Sequence, residues 1–191
     1  GGARLGVAST QRDARARAVL NNATLKWDAQ WLSQWHATLT VGSSDEQSLS
    51  DYFRIADGAW GGNSKFNTNR RQATWQNDIT LDKDVLSLTV ENRSESVDSS
   101  TVYTVTSRDV RSALVSYAFN RASWNALLVA RNDDNSQFGN VNNWSASGGV
   151  RLTDTVRAVA SMGTSFQAPT FNQLYYPGYG NPALQPQRNR G

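Results

Sequence analysis

The sequence predicts an all-β protein built as an antiparallel, up-and-down transmembrane β-barrel wall. Three observations carry that prediction. Apolar and polar residues alternate with period two in eight stretches, with no competing helical period. Short and long connections alternate between those stretches. Charged residues fall almost entirely on one of the two faces that the alternation defines.

The first strand sets Ala23, Leu25, Trp27, Ala29 and Trp31 against Thr24, Lys26, Asp28 and Gln30. The second sets Trp35, Ala37, Leu39 and Val41 against His36, Thr38 and Thr40. The third sets Ala73, Trp75, Ile79 and Leu81 against Thr74, Gln76, Asp78 and Thr80. The fourth sets Leu86, Leu88 and Val90 against Ser87, Thr89 and Glu91. Ala113, Val115, Tyr117 and Phe119 form one face of the fifth. Ala122, Trp124, Ala126, Leu128 and Ala130 form the sixth, opposite Ser123, Asn125 and Arg131. Trp144, Ala146, Gly148, Val150 and Leu152 mark the seventh, against Asn143, Ser145, Ser147 and Arg151. Val156, Ala158, Ala160, Met162 and Phe166 mark the eighth, against Arg157, Ser161 and Ser165.

The connections order these strands. Short ones fall at Leu32-Ser33-Gln34, Asp82-Lys83-Asp84, Asn120-Arg121 and Thr153-Asp154. Long ones are expected from Gly42 to Asn67, Asn92 to Ser107, Asp133 to Asn142, and from Gln167 onward. An up-and-down meander then gathers short turns at one end and long loops at the other, as outer-membrane barrels do. A soluble sandwich alternates its residues equally well but has no reason to segregate its loops. It would place Trp27, Trp124 and Trp144 in a shared dry core. A barrel would place Trp31 and Trp35 in an aromatic girdle.

Composition removes other classes. The 191 residues contain no Cys, so thiol catalysis, disulfides and thiolate metal sites are excluded. No apolar run is long enough for a transmembrane helix, a criterion that leaves barrels untouched. A net charge of +3 spread over both signs gives no footing for nucleic acid. His36 is the single histidine, and no nucleophile–base set accompanies it, so no enzyme is expected. The start, Gly1-Gly2-Ala3-Arg4, carries no signal-peptide pattern.

Binding has better support. Tyr52, Trp60, Phe66, Tyr103 and Phe138 lie in the expected external loops, with Tyr175, Tyr176 and Tyr179 in the last segment. Aromatics on polar loops suit a bulky, partly apolar ligand and suit a protein partner nearly as well. Asp133 and Asp134, beside Asn132 and Asn135, are weak candidates for a structural calcium, as is Ser43-Ser44-Asp45-Glu46 with Asp51. No other metal or cofactor is expected. Arg70-Arg71 and the stretch Arg4, Arg12, Arg15 and Arg17 could meet anionic ligands or lipopolysaccharide.

Longer motifs point to a family. The segment Ala160-Ser161-Met162-Gly163-Thr164-Ser165-Phe166-Gln167-Ala168-Pro169-Thr170-Phe171-Asn172-Gln173-Leu174-Tyr175 leads to Gly180-Asn181-Pro182-Ala183-Leu184-Gln185-Pro186. It closely resembles the late-barrel signature of TonB-dependent outer-membrane receptors. Thr74-Trp75-Gln76-Asn77-Asp78 and the run from Ala130 to Gly139 resemble the family's vitamin B12 branch. The resemblance covers nearly the whole chain. One departure is Gln187, where the family usually has glutamate after the proline.

The resemblance implies a barrel of 22 strands in the outer membrane of a Gram-negative bacterium, plugged by an N-terminal globular domain. It implies import of a large scarce nutrient, cobalamin first, with iron-siderophore or haem as runner-up. Energy would come from the TonB complex acting through that plug, with outer-membrane lipid and lipopolysaccharide around the wall. Plug and final strands are not recognisable, so residues 1–191 are expected to be a portion of the barrel. The alternatives are a self-contained eight-strand structural or adhesion barrel, closing first strand to eighth, and a soluble sandwich binding module.

Overall fold

The computed structural model describes residues 12–54 and 60–191. They form one antiparallel sheet of nine strands in sequence order, without a crossover. The strands are β1 (Arg12–Leu32), β2 (Trp35–Arg54), β3 (Trp60–Leu81), β4 (Asp84–Ser99), β5 (Ser107–Asn120), β6 (Trp124–Asn135), β7 (Gly139–Arg151), β8 (Arg157–Gln167) and β9 (Gln187–Arg190). A short helix, α1 (Phe171–Tyr175), lies between β8 and β9. Among the described residues β1 pairs only with β2, and β8 pairs with β7 and β9. Among the described residues the wall is open, and the first strand does not close on the eighth.

The register places the apolar residues on one face. Leu39 sits between Trp27 and Trp75. Val90 sits between Trp75 and Ala113, and Ala130 between Val115 and Trp144. None of the described residues covers that face: Leu25 is 73% exposed and Val90 52%. Trp27, Trp124 and Trp144 are 48%, 42% and 39% exposed, which removes the dry sandwich core. An uncharged, uncovered apolar sheet face is what a barrel turns to lipid.

At the short-turn end the aromatics form a belt. Trp31 stacks on Trp35 with centroids 5.7 Å apart, and Trp27 meets Trp31 edge-on at 6.3 Å. Trp35 donates its indole N–H to Asn77 Oδ1 at 3.1 Å. Tyr117, Phe119 and Trp124 continue the belt, and the Arg121 guanidinium lies 5.6 Å from the Trp124 ring centre. Asp82 takes φ 60 in the β3–β4 turn, a conformation Asp tolerates better than most. Gly163 lets β8 approach β7, because a Cβ there would lie 2.7 Å from the Trp144 carbonyl oxygen.

Three expectations need correction. β1 begins at Arg12 rather than near Ala23, so Arg12, Arg15 and Arg17 belong to a strand; Arg4 lies outside the described residues. The expected loops at Gly42 to Asn67 and Asp133 to Asn142 are largely strand: β2 and β3 leave only 55–59 undescribed, and β6 and β7 are joined by Ser136, Gln137 and Phe138. The eight strands are nine, because Gln187–Arg190 pairs with β8. The physical reason is common to all three. Above the apolar band both faces of the sheet meet water, so the strand continues without alternation. The 20 residues of β2 reach about 65 Å at ~3.3 Å each, against an apolar band of ~25 Å.

Candidate functional site

The inner face is a ladder of polar side chains. Low on it, Asp28 accepts from Thr38 Oγ1 at 2.7 Å and pairs with Lys26 Nζ at 3.1 Å. His36 Nε2 lies 3.6 Å from the same carboxylate, in a hydrated rung. Gln76 Nε2 donates to Asp78 at 2.8 Å. Higher, Arg131 reaches Asp133 at 2.8 Å and Glu91 at 3.2 Å, and donates to Ser112 Oγ at 2.8 Å. Gln72 donates to the other Glu91 oxygen at 2.8 Å.

Above the apolar band, three guanidinium groups converge on Glu95. Arg108 donates to Glu95 Oε2 through Nε at 3.2 Å and Nη2 at 2.5 Å. Arg70 Nη2 lies 3.0 Å from Oε1, and Arg93 Nε lies 3.6 Å from it. Burial raises the Glu95 pKa, but the hydrogen bonds and charge of Arg108, with Arg70 and Arg93, outweigh burial and leave it below the ordinary value. Arg70, Arg93, Arg108 and Arg131 line an inward-facing cavity of about 500 Å³.

The segment after β8 folds over this cavity. Thr170 caps α1 by accepting the Gln173 backbone N–H at 3.2 Å, and Gln173 Oε1 accepts the Thr170 N–H at 2.9 Å. Phe171 and Leu174 are then buried. Arg108 donates to the Pro169 carbonyl at 3.1 Å and lies 5.3 Å from the Phe171 ring centre. Tyr103 donates its hydroxyl to Asn172 Oδ1 at 2.6 Å, and Val97, Tyr103 and Phe171 form a small buried cluster. One Glu–Arg pair thus ties the barrel wall to the segment at its mouth.

The aromatic candidates divide. Phe66, Tyr103, Tyr176 and Tyr179 form a chain of ring contacts with centroids 6.0–6.2 Å apart. Tyr175 accepts a hydrogen bond from Gln137 Nε2 at 3.2 Å, and Phe138 meets Phe166 at 6.2 Å. Tyr52 and Trp60 stand apart from this chain, and Trp60 is 64% exposed. Tyr52, Trp60 and Phe66 sit on β2 and β3, not on loops, because those strands run on past the bilayer. Asp133 and Asp134 point to opposite faces, and Asp133 is engaged by Arg131 and Ser112. Among the described residues no three His, Asp or Glu side chains gather into a metal-sized group. Glu95 and Arg93 escape sequence reading because they fall where a loop is expected, and Arg108 because it lies at the start of β5, before that strand's alternation begins. The spacing Glu91-x-Arg93-x-Glu95 is the signal that the strand continues.

Comparison with known proteins agrees with this geometry. The family model described as TonB dependent receptor-like, beta-barrel, matches residues 2–191. The chain belongs to the TonB-dependent receptor β-barrel family. It is 33% identical over 164 residues to the vitamin B12 transporter BtuB of Vibrio vulnificus, covering 82% of this chain and 26% of that protein. It is 35% identical over 130 residues to the vitamin B12 transporter BtuB of Photobacterium profundum, covering 66% of this chain and 21% of that protein. The chain therefore spans about a quarter of these relatives. The siderophore receptor PirA of Pseudomonas aeruginosa shares the fold with a TM-score of 0.56 at 17% identity, over 94% of this chain and 44% of PirA. The RagAB peptide importer matches with a TM-score of 0.54 at 11% identity, over 93% of this chain and 27% of that one. As a TonB-dependent receptor barrel, the wall belongs to the outer membrane of a Gram-negative bacterium.

Proposed function

We propose that this wall belongs to an outer-membrane transporter that binds and imports cobalamin, with energy supplied by the TonB complex. The observation that carries the substrate is the 33% identity to a vitamin B12 transporter across 82% of the chain. The inner face supports the reading in kind. It offers hydrated polar rungs along the wall and a Tyr-rich mouth at its outer end, suited to a large ligand with polar and apolar surfaces. In this reading a plug domain and further strands complete the barrel, and the ligand passes when the plug is rearranged. No bond is made or broken, so the protein is a transporter and not an enzyme.

The test is equilibrium titration of the detergent-solubilised full-length receptor with cyanocobalamin and with ferric siderophores. Saturable, stoichiometric binding of cyanocobalamin is expected. Saturation by a siderophore alone would replace the substrate and leave the family intact.

A further inference from the structure

We propose that the cavity beside Glu95 is an anion subsite that takes the phosphodiester group of the transported ligand. The inference rests on the cobalamin reading for the identity of that group, and on the wall's own geometry for the site.

The geometry is an imbalance of charge and of hydrogen-bond donors. Three guanidiniums surround the single Glu95 carboxylate. Arg131, lower in the same cavity, is already matched by Glu91 and Asp133. Arg108 is committed as well, to Glu95 and the Pro169 carbonyl. Arg70 and Arg93 are different. Each guanidinium carries five N–H donors. Arg70 makes one close ion-pair contact, with Glu95, at 3.0 Å. Arg93 Nε is buried, stands 3.6 Å from Glu95, and has no hydrogen-bond partner among the described residues. A buried donor without an acceptor is costly, so the site is incomplete as it stands.

An oxyanion completes it. A phosphodiester has two equivalent acceptor oxygens and one negative charge, which match the forked donors of two neighbouring arginines. The cavity, about 500 Å³, opens inward; Arg70 lines it, and its side chain is 57% exposed. Cobalamin carries one phosphodiester, in its nucleotide loop. Cobinamide is the same corrin without that loop, so the pair isolates the contact. A carboxylate from the interior of the full-length protein would have the same charge, and the test separates the two.

The experiment measures cobalamin and cobinamide affinity for the full-length receptor and for Arg93→Gln and Arg70→Gln, with folding checked by heat-modifiable gel mobility. The proposal expects cobalamin affinity to fall about tenfold more than cobinamide affinity in either variant. Equal losses for both ligands, or no loss, would overturn it. A second measurement is independent of any corrinoid. Inorganic phosphate should raise the melting temperature of the wild-type receptor above that in chloride of equal ionic strength, and should not do so for the double variant. A missing or variant-insensitive phosphate effect means that the site is filled from within the protein, and the proposal fails. If neither corrinoid binds wild type, the substrate reading falls alone and the phosphate response decides the anion site.

Discussion

Glu95 shows how much one residue holds at the mouth of this wall. It is the counter-charge for Arg70, Arg93 and Arg108, and through Arg108 it fixes the segment carrying α1. Glu95→Gln would leave three neighbouring cations under-compensated. Removing one partner of a buried pair costs ~3–5 kcal/mol, and partial hydration places Glu95→Gln near the lower figure. Denaturant unfolding of the full-length protein should show it, and an unchanged midpoint would contradict the arrangement. Asp84, beyond the apolar band at the short-turn end, makes a pH prediction. Hydrogen bonds from Arg121 first, then from the Asn120 backbone N–H, hold its pKa at about 2, below the ordinary carboxylate range. A depressed carboxylate stabilises the fold above its unfolded pKa, and that contribution fades as pH falls from about 4 toward 2. Asp84→Asn should flatten acid sensitivity in that window, read as melting temperature against pH. At this scale the sequence offers eight aromatic candidates without showing that Tyr103 meets Phe66 and Tyr176 while Tyr52 and Trp60 stand apart, and it does not show Glu95, whose partners come from three separate strands.

The strands are legible wherever one face meets lipid. Trp75, Val90, Ala113 and Ala130 alternate with polar residues because only their face must be apolar. The same logic explains where reading fails. Residues 43–54 and 60–72 are two-sided in water, so Ser, Asn and Asp replace the alternation and the strands look like loops. β9, Gln187–Arg190, has no apolar residue at all and is held by backbone pairing to Thr164–Gln167. The alternation makes a sharp prediction for neighbours on β5. Val115→Arg puts a charge on the lipid face and should cost ~2–4 kcal/mol near mid-membrane. Ser116→Arg puts it on the inner face and should cost little. Folding of the full-length variants into bilayers of increasing urea concentration compares them, and equal penalties would refute the assignment of faces.

At the scale of the molecule, nine strands make a wall with two free edges. β1 and β9 each present backbone groups with no partner among the described residues. Lipid tolerates no such edge, so the family's closed barrel is the arrangement that satisfies both. The uncovered apolar face, the aromatic belt and the charged inner ladder then have one explanation: lipid outside and water inside. The absence of Cys from these 191 residues makes that explanation directly measurable. Single cysteines can be introduced from Ser112 to Ala118 in a full-length receptor cleared of other reactive cysteines, spin-labelled, and reconstituted in lipid vesicles. Collision rates with oxygen, which concentrates in the bilayer, and with a water-soluble nickel chelate report the environment of each label. The account predicts oxygen maxima at 113, 115 and 117 and lower oxygen access at 112, 114, 116 and 118, with period two. A flat profile, or nickel access at 113, 115 and 117 equal to that of a water-exposed loop, would contradict it.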